Sequence, residues 1–406
     1  MPDMGSPRRF ATSPIPWAVA LNVIGVNAIA PVIPAYAAHF GVGVALTSTV
    51  ITAFAVARMS VRLVAGRLAD RHGSRRISAS GGAIQAGGAL IAAFAPNIGI
   101  LLGARAIQGT GSAMFGTSIY RYMLVTTEKE DLGRATAWYQ AGILIGTTVG
   151  PLLGGMVADL FGIFAPFYLQ MVLASVVAVV SLRFLGESTI DDDTPEQPLG
   201  RSIVSLLRID GFMVLLLLGF GLFFIRAGAT NVLVPVFGDE SLGLSASLIG
   251  AIISLGSVVS LVAMPIAGRV ADTVGRVPVA LAGAFVAALA VAGYGLTGTT
   301  VQLALVAATV GLGTGLSEVA VPTMVGDAAP RGAEGIVSAV YRISSDLGWV
   351  VGPIALGLLA DSGRFGLAFV VAGAPLFLGG VILAVRRNAG TEAGPVEASE
   401  TRLPPP

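Results

Sequence analysis

Six charged side chains lie deep inside long apolar segments of this chain. They are Glu318, Asp346, Arg58, Arg105, Arg226 and Arg342. Charges at such depth are costly and are mostly retained for function. Removal from water favours the neutral form of a carboxyl, so a carboxyl there can load and release a proton. An arginine keeps its proton and instead binds an anion or biases a neighbouring carboxyl.

The two acids have different predicted roles. Glu318 follows Gly315 by three residues, and a small-residue helical face of this kind can line a cavity. We predict that Glu318 carries a coupled proton; binding of a cationic substrate and a structural hydrogen bond are the alternatives. Asp346 lies one helical turn after Arg342 and could also meet Arg58. For Asp346 a structural ion pair is favoured over a share in proton coupling.

The arginines and several neutral polar side chains are the candidates for substrate contact. Arg105 is expected to assist a partner carboxyl or to bind substrate, with a structural role as the alternative. Arg226, followed one turn later by Thr230, is expected to contact substrate. The surplus of deep arginines over deep acids hints at an anionic or zwitterionic substrate. The remaining candidates, of which the aromatic one has packing as its alternative, are Asn22, Asn27, Asn231, Gln108 and Tyr139.

Composition places this chemistry in a membrane. Apolar residues make up 54% of the 406 residues and charged residues 12%, whereas about a quarter of the residues of soluble domains are charged. The chain has no cysteine, only the isolated histidines His39 and His72, and Lys129 as its single lysine. Thiol catalysis and a Walker motif are thereby excluded, and a zinc centre is disfavoured. We expect a lipid bilayer as the environment, and no metal, cofactor or nucleic acid as a partner.

Long apolar windows predict twelve membrane-spanning helices, since about 20 residues cross a bilayer. The predicted spans are 17–37, 46–66, 77–95, 98–121, 134–156, 164–185, 211–235, 245–267, 278–297, 300–323, 335–357 and 364–386. Polar segments then divide the chain into a first six-helix half (1–186), a linker (187–210), a second six-helix half (211–387) and a disordered tail (388–406). The predicted fold class is an all-α membrane protein.

Basic residues indicate the orientation. Counted from a cytoplasmic N-terminus, Arg364 is the only arginine of the outside loops, whereas the inside loops hold many. This asymmetry places both termini, the linker and the tail in the cytoplasm. The preference for arginine over lysine, with abundant Gly and Ala, suggests a high-GC bacterium. The predicted location is therefore the inner, or only, membrane of a bacterium.

A repeat at a constant offset of 202 residues relates the two predicted halves. The matched pairs include Gly66/Gly268, Asp70/Asp272, Gly73/Gly275, Gly109/Gly311, Gly146/Gly348, Gly150/Gly352, Pro151/Pro353, Gly155/Gly357 and Asp159/Asp361. Six spans per repeat make the two halves parallel, related by an axis along the membrane normal. In such folds the substrate site lies near the midplane, between the halves.

These motifs resemble those of a known family. Residues 66–76, GRLADRHGSRR, resemble the signature loop of the major facilitator superfamily, and residues 25–34 resemble the first-helix motif of its twelve-span drug:proton antiporter branch. The surroundings of Arg105 resemble the motif whose arginine is implicated in proton coupling. Asn22 and Asn27 stand in a span where many members of the branch carry an acid. The motif that marks exporters is resembled by Gly146, Gly150, Pro151, Gly154 and Gly155.

The signature loop is the first predicted conformational switch. Gly66 and Gly73 permit a tight turn, and Asp70 is expected to dock near 334–337, at the start of the eleventh span, and to hold the outward-open state. A simple basic anchor is the alternative. Asp272 is expected to form the weaker, repeated latch. Two further switch residues are Arg71 and Arg75.

The fifth span is the second predicted switch. Gly146, Gly150 and Gly154 recur every four residues on one face, and Pro151 interrupts the helical ladder. Such a face lets the helix press against a neighbour and slide or bend, with ordinary tight packing as the alternative. Gly155 belongs to the same motif.

Together these features predict a monomeric secondary transporter that works by alternating access. It is expected to export small amphipathic compounds, such as drugs or antibiotics, in exchange for protons. Glu318 would carry the proton and Arg105 would assist. The alternatives are a facilitator or proton symporter that imports a small metabolite and, from another class, a non-transporting membrane sensor. An enzyme is not expected, because no cluster of nucleophiles or metal ligands is evident.

Overall fold

The structure is a computed structural model. It describes residues 15–127, 132–186, 211–328 and 334–392. Within these ranges the chain is helical, with short connections and no β-strand. A bilayer core offers no water to backbone amides and carbonyls, so an apolar chain satisfies them internally by forming helices. The predicted linker 187–210 lies outside the described residues, and so does the predicted tail from residue 393 onward; residues 388–392 belong to the last helix.

The first half of the bundle is built from helices α1 to α7. They are α1 (Ile15–Asn27), α2 (Ile33–Phe40), α3 (Val44–His72), α4 (Ser74–Ala93), α5 (Ile98–Thr126), α6 (Leu132–Phe161) and α7 (Ala165–Phe184). A 3₁₀ turn, Ala30–Val32, joins α1 to α2. Pro31 and Pro34 lack the amide hydrogens that a continuous helix requires there, so the predicted first span is an interrupted helix. By contrast, α6 continues through Pro151.

The second half is built from helices α8 to α14. They are α8 (Phe212–Phe224), α9 (Val234–Leu242), α10 (Ala246–Val274), α11 (Arg276–Gly293), α12 (Thr300–Asp327), α13 (Glu334–Asp361) and α14 (Phe365–Glu392). A π-helical segment, Ile225–Leu233, joins α8 to α9 without a break in the helical path. A 3₁₀ turn, Tyr294–Leu296, follows α11.

Ten stretches of helix among the described residues are long and apolar enough to cross a membrane. They correspond to ten of the twelve predicted spans. The third and fourth predicted spans form α4 and α5, of 20 and 29 residues, which are not among the ten. Both helices are rich in small and polar residues, and α5 also carries Arg105 and Gln108. The chain is thus an all-helical, multi-pass membrane protein.

Close helix contacts repeat at the same offset as the sequence motifs. A β-carbon added at Gly109 of α5 would lie 2.3 Å from the carbonyl oxygen of Phe54 on α3. At the equivalent position in the second half, a β-carbon at Gly311 would lie 2.1 Å from the carbonyl oxygen of Gly256 on α10. Glycine therefore permits the same backbone approach in both halves.

Two long helix pairs make the main contacts between the halves: α3 packs on α13, and α6 packs on α10. In each pair a carboxylate accepts from the first backbone amides of the partner helix. Asp361 accepts from Val44 N at 2.5 Å and Ala45 N at 3.0 Å. Asp159 accepts from Ser247 N at 2.9 Å. Because α3 and α10 begin at these contacts, both contacts lie at the end of the bundle that is remote from the turn between α3 and α4. We call this the capped end.

The predicted loop between the second and third spans is a one-residue turn. Gly73 has a φ of 82° and separates α3 from α4, and Gly275 has a φ of 92° at the equivalent turn of the second half. Glycine is favoured at both positions because other residues rarely adopt this conformation. Gly66 is helical, so the prediction that it forms part of the turn is wrong.

Candidate functional site

Arg226 and Glu318 form an ion pair within the second half. The Nη1 of Arg226 donates to Oε1 of Glu318 at 2.7 Å, and the side chains are 29% and 16% exposed. Charge-assisted hydrogen bonds of this length are among the stronger polar contacts in proteins. Sequence reasoning selected both residues but assigned them separate roles. The structure brings the predicted proton carrier and the predicted substrate contact together.

Arg226 lies in the π-helical segment, which presents it toward α12. π-helical turns are rare and occur frequently at functional sites. The segment ends just before Pro235, which has no amide hydrogen to continue the helical ladder. A β-carbon at Gly228 would lie 2.7 Å from the backbone of Gly352, so α13 packs directly on the segment. This unusual winding, which no sequence pattern indicated, is held by tight packing.

The ion pair faces a small cavity between the π-helical segment, α10 and α12. The cavity has a volume of about 50 Å³, which holds a few water molecules but not a drug-sized compound. Hydroxyl groups on its wall can hydrogen-bond to such water. They belong to Thr230, Ser257, Ser260, Tyr294 and Thr314. Glu318 therefore borders a hydroxyl-lined cavity inside an otherwise apolar bundle.

A second cluster of charges bridges the halves. Asp346 of α13 accepts from Arg62 Nη1 of α3 at 2.6 Å and lies 4.0 Å from Arg58 Nη2. The Arg58 guanidinium also lies 5.5 Å from the ring centroid of Phe54 and 5.7 Å from that of Trp349. The contact of Asp346 with Arg58 agrees with the sequence-based expectation.

Two features of this cluster differ from the sequence-based expectation. Arg342, the predicted local partner of Asp346, is exposed and does not pair with it within the described residues. Arg62 is the closer partner and was missed. Its position one turn after Arg58, on the same helical face, was the available signal.

Arg105 is buried within the first half, with 3% of its surface exposed. Its Nε donates to the Val50 carbonyl oxygen at 3.2 Å, and its Nη1 donates to Gln108 Oε1 at 2.5 Å. The guanidinium lies 4.5 Å from the ring centroid of Phe54. Among the described residues no carboxylate pairs with Arg105, so an amide, a carbonyl and an aromatic ring stabilise its charge. The predicted assistance to Glu318 is therefore not a direct contact.

Most of the neutral candidates for substrate contact are engaged with the protein. Asn22 is buried and donates from Nδ2 to Gln85 Oε1 at 2.7 Å. Asn27 donates to the Val23 carbonyl oxygen of its own helix at 2.9 Å. Asn231 is buried in the π-helical segment. Gln85 was missed, although an amide in an apolar segment is a signal that sequence reasoning can use.

Tyr139 lies on α6 and is half-buried. Its ring centroid lies 5.4 Å from that of Tyr120 on α5. The ring thus packs within the first half.

The signature-motif carboxylate is bound within its own half. Asp70 Oδ1 accepts from Arg121 Nε at 2.5 Å, and Arg121 Nη1 donates to Ser74 Oγ at 2.9 Å. The predicted docking region includes residues 334–336, whose side chains lie outside the described part of the chain. Thr323 stands at the repeat position of Arg121, and Asp272 has no hydrogen bond or ion pair within the described ranges. The other two switch residues flank the Gly73 turn: Arg71 and Arg75.

The fifth-span glycines are contact points. Gly146, Gly150 and Gly154 all face α1, and a β-carbon at Gly154 would lie 1.9 Å from the carbonyl oxygen of Ala28. Gly155 faces the other half, where a β-carbon would lie 2.2 Å from a carbonyl oxygen of α10. The motif therefore contributes to two contacts of α6, one with α1 in the same half and one with α10 in the other half.

Comparison with known proteins agrees with this architecture. The chain is 27% identical to Multidrug resistance protein 2 of Bacillus subtilis (strain 168) over 250 residues, which are 59% of this chain and 61% of that protein. It is 26% identical over 365 residues to the multi-drug resistance efflux pump PmrA of Streptococcus pneumoniae serotype 4, covering 85% of this chain and 88% of that protein. The fold resembles the crystal structure of the nucleoside transporter NupG, with a TM-score of 0.73, 15% identity, and coverage of 91% and 97% of the two chains.

The sequence model of one protein family, the Major Facilitator Superfamily, matches residues 17–300 and 222–405 of this chain. These two overlapping matches include every described helix except the first residues of α1. With the repeated helix contacts and the inter-half packing, they establish that this chain belongs to the Major Facilitator Superfamily.

Proposed function

We propose that this protein is a secondary transporter that exports small amphipathic compounds, such as drugs or antibiotics, in exchange for protons. It works by alternating access, as a monomer, in a bacterial inner membrane with both termini in the cytoplasm. In this proposal α4 and α5 also cross the membrane, which makes twelve spans. Two multidrug-resistance relatives and the fifth-span glycine motif support export.

The Arg226–Glu318 pair is the observation that carries the proton coupling. A partly buried ion pair contributes little to stability compared with well-packed apolar residues, because desolvation offsets the attraction. Its presence in a hydroxyl-lined cavity therefore favours a functional role. Arg226 is the ion-pair partner of the Glu318 carboxylate, and water in the cavity can deliver a proton to this carboxylate. Protonation breaks the pair, which gives the second half two electrostatic states.

The inter-half contacts support alternating access. Glycines permit close packing of α6 on α10, while Arg62 and Asp346 form an ion pair between α3 and α13. A rocking motion of one half against the other has to change both contacts. The small residues of the α6–α10 contact favour such a motion, since they pack without interlocking side chains.

The second candidate is a facilitator or proton symporter that imports a small metabolite. Two observations favour it: the likeness in fold to a nucleoside transporter, and the presence of Asn22 and Asn27 where an acid is common in the exporter branch. This candidate predicts that substrate and proton move together, or that the substrate moves alone.

Proton movement in energised inverted vesicles tests the proposal. A panel of antibiotics, dyes and organic anions is added to vesicles that contain wild type, Glu318→Gln or the matched control Asp327→Asn, a carboxylate at the exposed end of α12. We expect at least one compound to release the pH gradient with wild type and the control, but not with Glu318→Gln. Exchange of labelled compound without proton movement in wild type would instead support the facilitator.

A further inference from the structure

We infer that the seam between α3 and α13 binds a planar aromatic anion, with Arg58 as its anchor. This inference rests on the proposed transport function and names the chemical class of its substrate. The site is the cluster already described between the halves, formed by Arg58, Phe54, Trp349, Arg62 and Asp346. It is separate from the Arg226–Glu318 pair, which belongs to the second half alone.

The charged side chains of the seam carry a net positive charge. Asp346 is bound closely by Arg62 at 2.6 Å, while its distance to Arg58 is 4.0 Å. One carboxylate therefore lies near two guanidinium groups, and it forms its close ion pair with the more exposed of them, that of Arg62. The net charge of these side chains is positive, which attracts an anion.

Arg58 has a hydrogen-bond donor that is not satisfied by the described part of the protein. Its Nε is buried and has no hydrogen-bond acceptor among the described residues. A buried donor without an acceptor is unfavourable and is rare in native proteins. Arginine presents its N–H groups as a planar fork that matches a carboxylate. An anionic ligand would supply the acceptors that Asp346 does not.

Two aromatic rings lie close to Arg58. The Arg58 guanidinium lies 5.5 Å from the ring centroid of Phe54 on α3 and 5.7 Å from that of Trp349 on α13. Trp349 is half-buried, so the protein does not cover this residue completely. A flat aromatic body can stack on such a ring while its carboxylate meets the guanidinium. Because the rings belong to different halves, the ligand would contact both halves at once.

Three ligands of one shape and different charge test this inference. They are 1-naphthoate, 1-naphthamide and 1-naphthylmethylammonium, and their binding to the purified full-length protein in lipid nanodiscs is measured by calorimetry. We expect naphthoate to bind at least tenfold more tightly than the amide and the ammonium compound. Arg58→Gln should reduce naphthoate affinity to that of the amide while leaving amide binding unchanged, which also shows that the variant is folded. Trp349→Leu should weaken both.

Arg364→Gln is the matched control, since Arg364 is an exposed arginine in the short connection between α13 and α14. It should leave naphthoate binding unchanged. Equal affinity for all three ligands, or undiminished naphthoate binding by Arg58→Gln, would overturn the inference.

Glu318→Gln separates this inference from the proposed function. If the Glu318→Gln variant binds naphthoate normally but moves no protons, both the anion site and the proposed proton exchange hold. If wild type prefers naphthoate yet no compound moves protons, the anion site stands and proton exchange fails. If protons move in exchange for cationic compounds and naphthoate shows no preference, the transport proposal stands and the anion site fails.

Discussion

Asp159 and Asp361 occupy equivalent positions in the two halves, and each accepts hydrogen bonds from the first backbone amides of a helix in the opposite half. The free amides and the positive dipole at a helix N-terminus both favour a carboxylate there. Since the two contacts cross the interface in opposite directions, they hold the capped end of the bundle closed symmetrically.

The capped end should open when both carboxylates are removed. Loss of a side-chain cap costs about 1 kcal/mol, so Asp159→Ala with Asp361→Ala should shift the ratio of open to closed forms roughly tenfold or more. The chain has no cysteine, which allows spin labels at Phe161→Cys and Ser362→Cys alone. We expect double electron–electron resonance to show a longer or broader distribution of the distance between the two labels in the double variant. An unaltered distribution, equal to that of the control Asp327→Ala, would contradict the capping role.

The Arg226–Glu318 pair should show energetic coupling. Removal of one partner leaves a partly buried charge without its counter-ion, so Arg226→Gln and Glu318→Gln should each destabilise the protein by about 1 to 3 kcal/mol. The double variant should be less destabilised than the sum of the single variants. Thermal unfolding of the four proteins in detergent gives the cycle. Additive effects would mean that the pair does not form in the membrane protein.

Gly154 should tolerate no side chain. Alanine there would place a β-carbon 1.9 Å from the Ala28 carbonyl oxygen, and such overpacking costs about 1 to 3 kcal/mol. Gly103, on the outer face of α5, has no atom within 4 Å of an added β-carbon and is the control. We expect a lower midpoint of thermal unfolding for Gly154→Ala and an equal or higher one for Gly103→Ala. If the two variants unfold alike, α1 and α6 do not pack this closely.

Arg105 allows a structural role to be separated from a transport role. Lysine cannot reproduce the two-directional donation to Val50 and Gln108, so Arg105→Lys should be destabilised. Arg105→Met should fold, because it replaces a buried charge with an apolar chain of similar length. We expect this folded variant to export at a rate at least tenfold below wild type in vesicles. Full activity of Arg105→Met would leave Arg105 with a structural role alone.

The sequence alone determined the helical class, the 202-residue repeat and the family. These properties depend on local composition and spacing: apolar length indicates a membrane helix, and glycines at matching positions indicate matching helix contacts. The same reasoning selected Glu318, Arg226 and Asp346 as important, because any charge in an apolar segment is conspicuous. It also proposed the contact of Asp346 with Arg58 from the expected order of the helices.

Only the tertiary structure decided which of these charges meet. Arg226 and Glu318 are separated by 92 residues, and their pairing depends on how the π-helical segment and α12 are placed relative to each other. The attachment of Asp70 to Arg121 likewise depends on how α3 and α5 pack. Periodicity specifies which face of a helix a residue occupies, but the partner of that face is set by the packing of all the helices together.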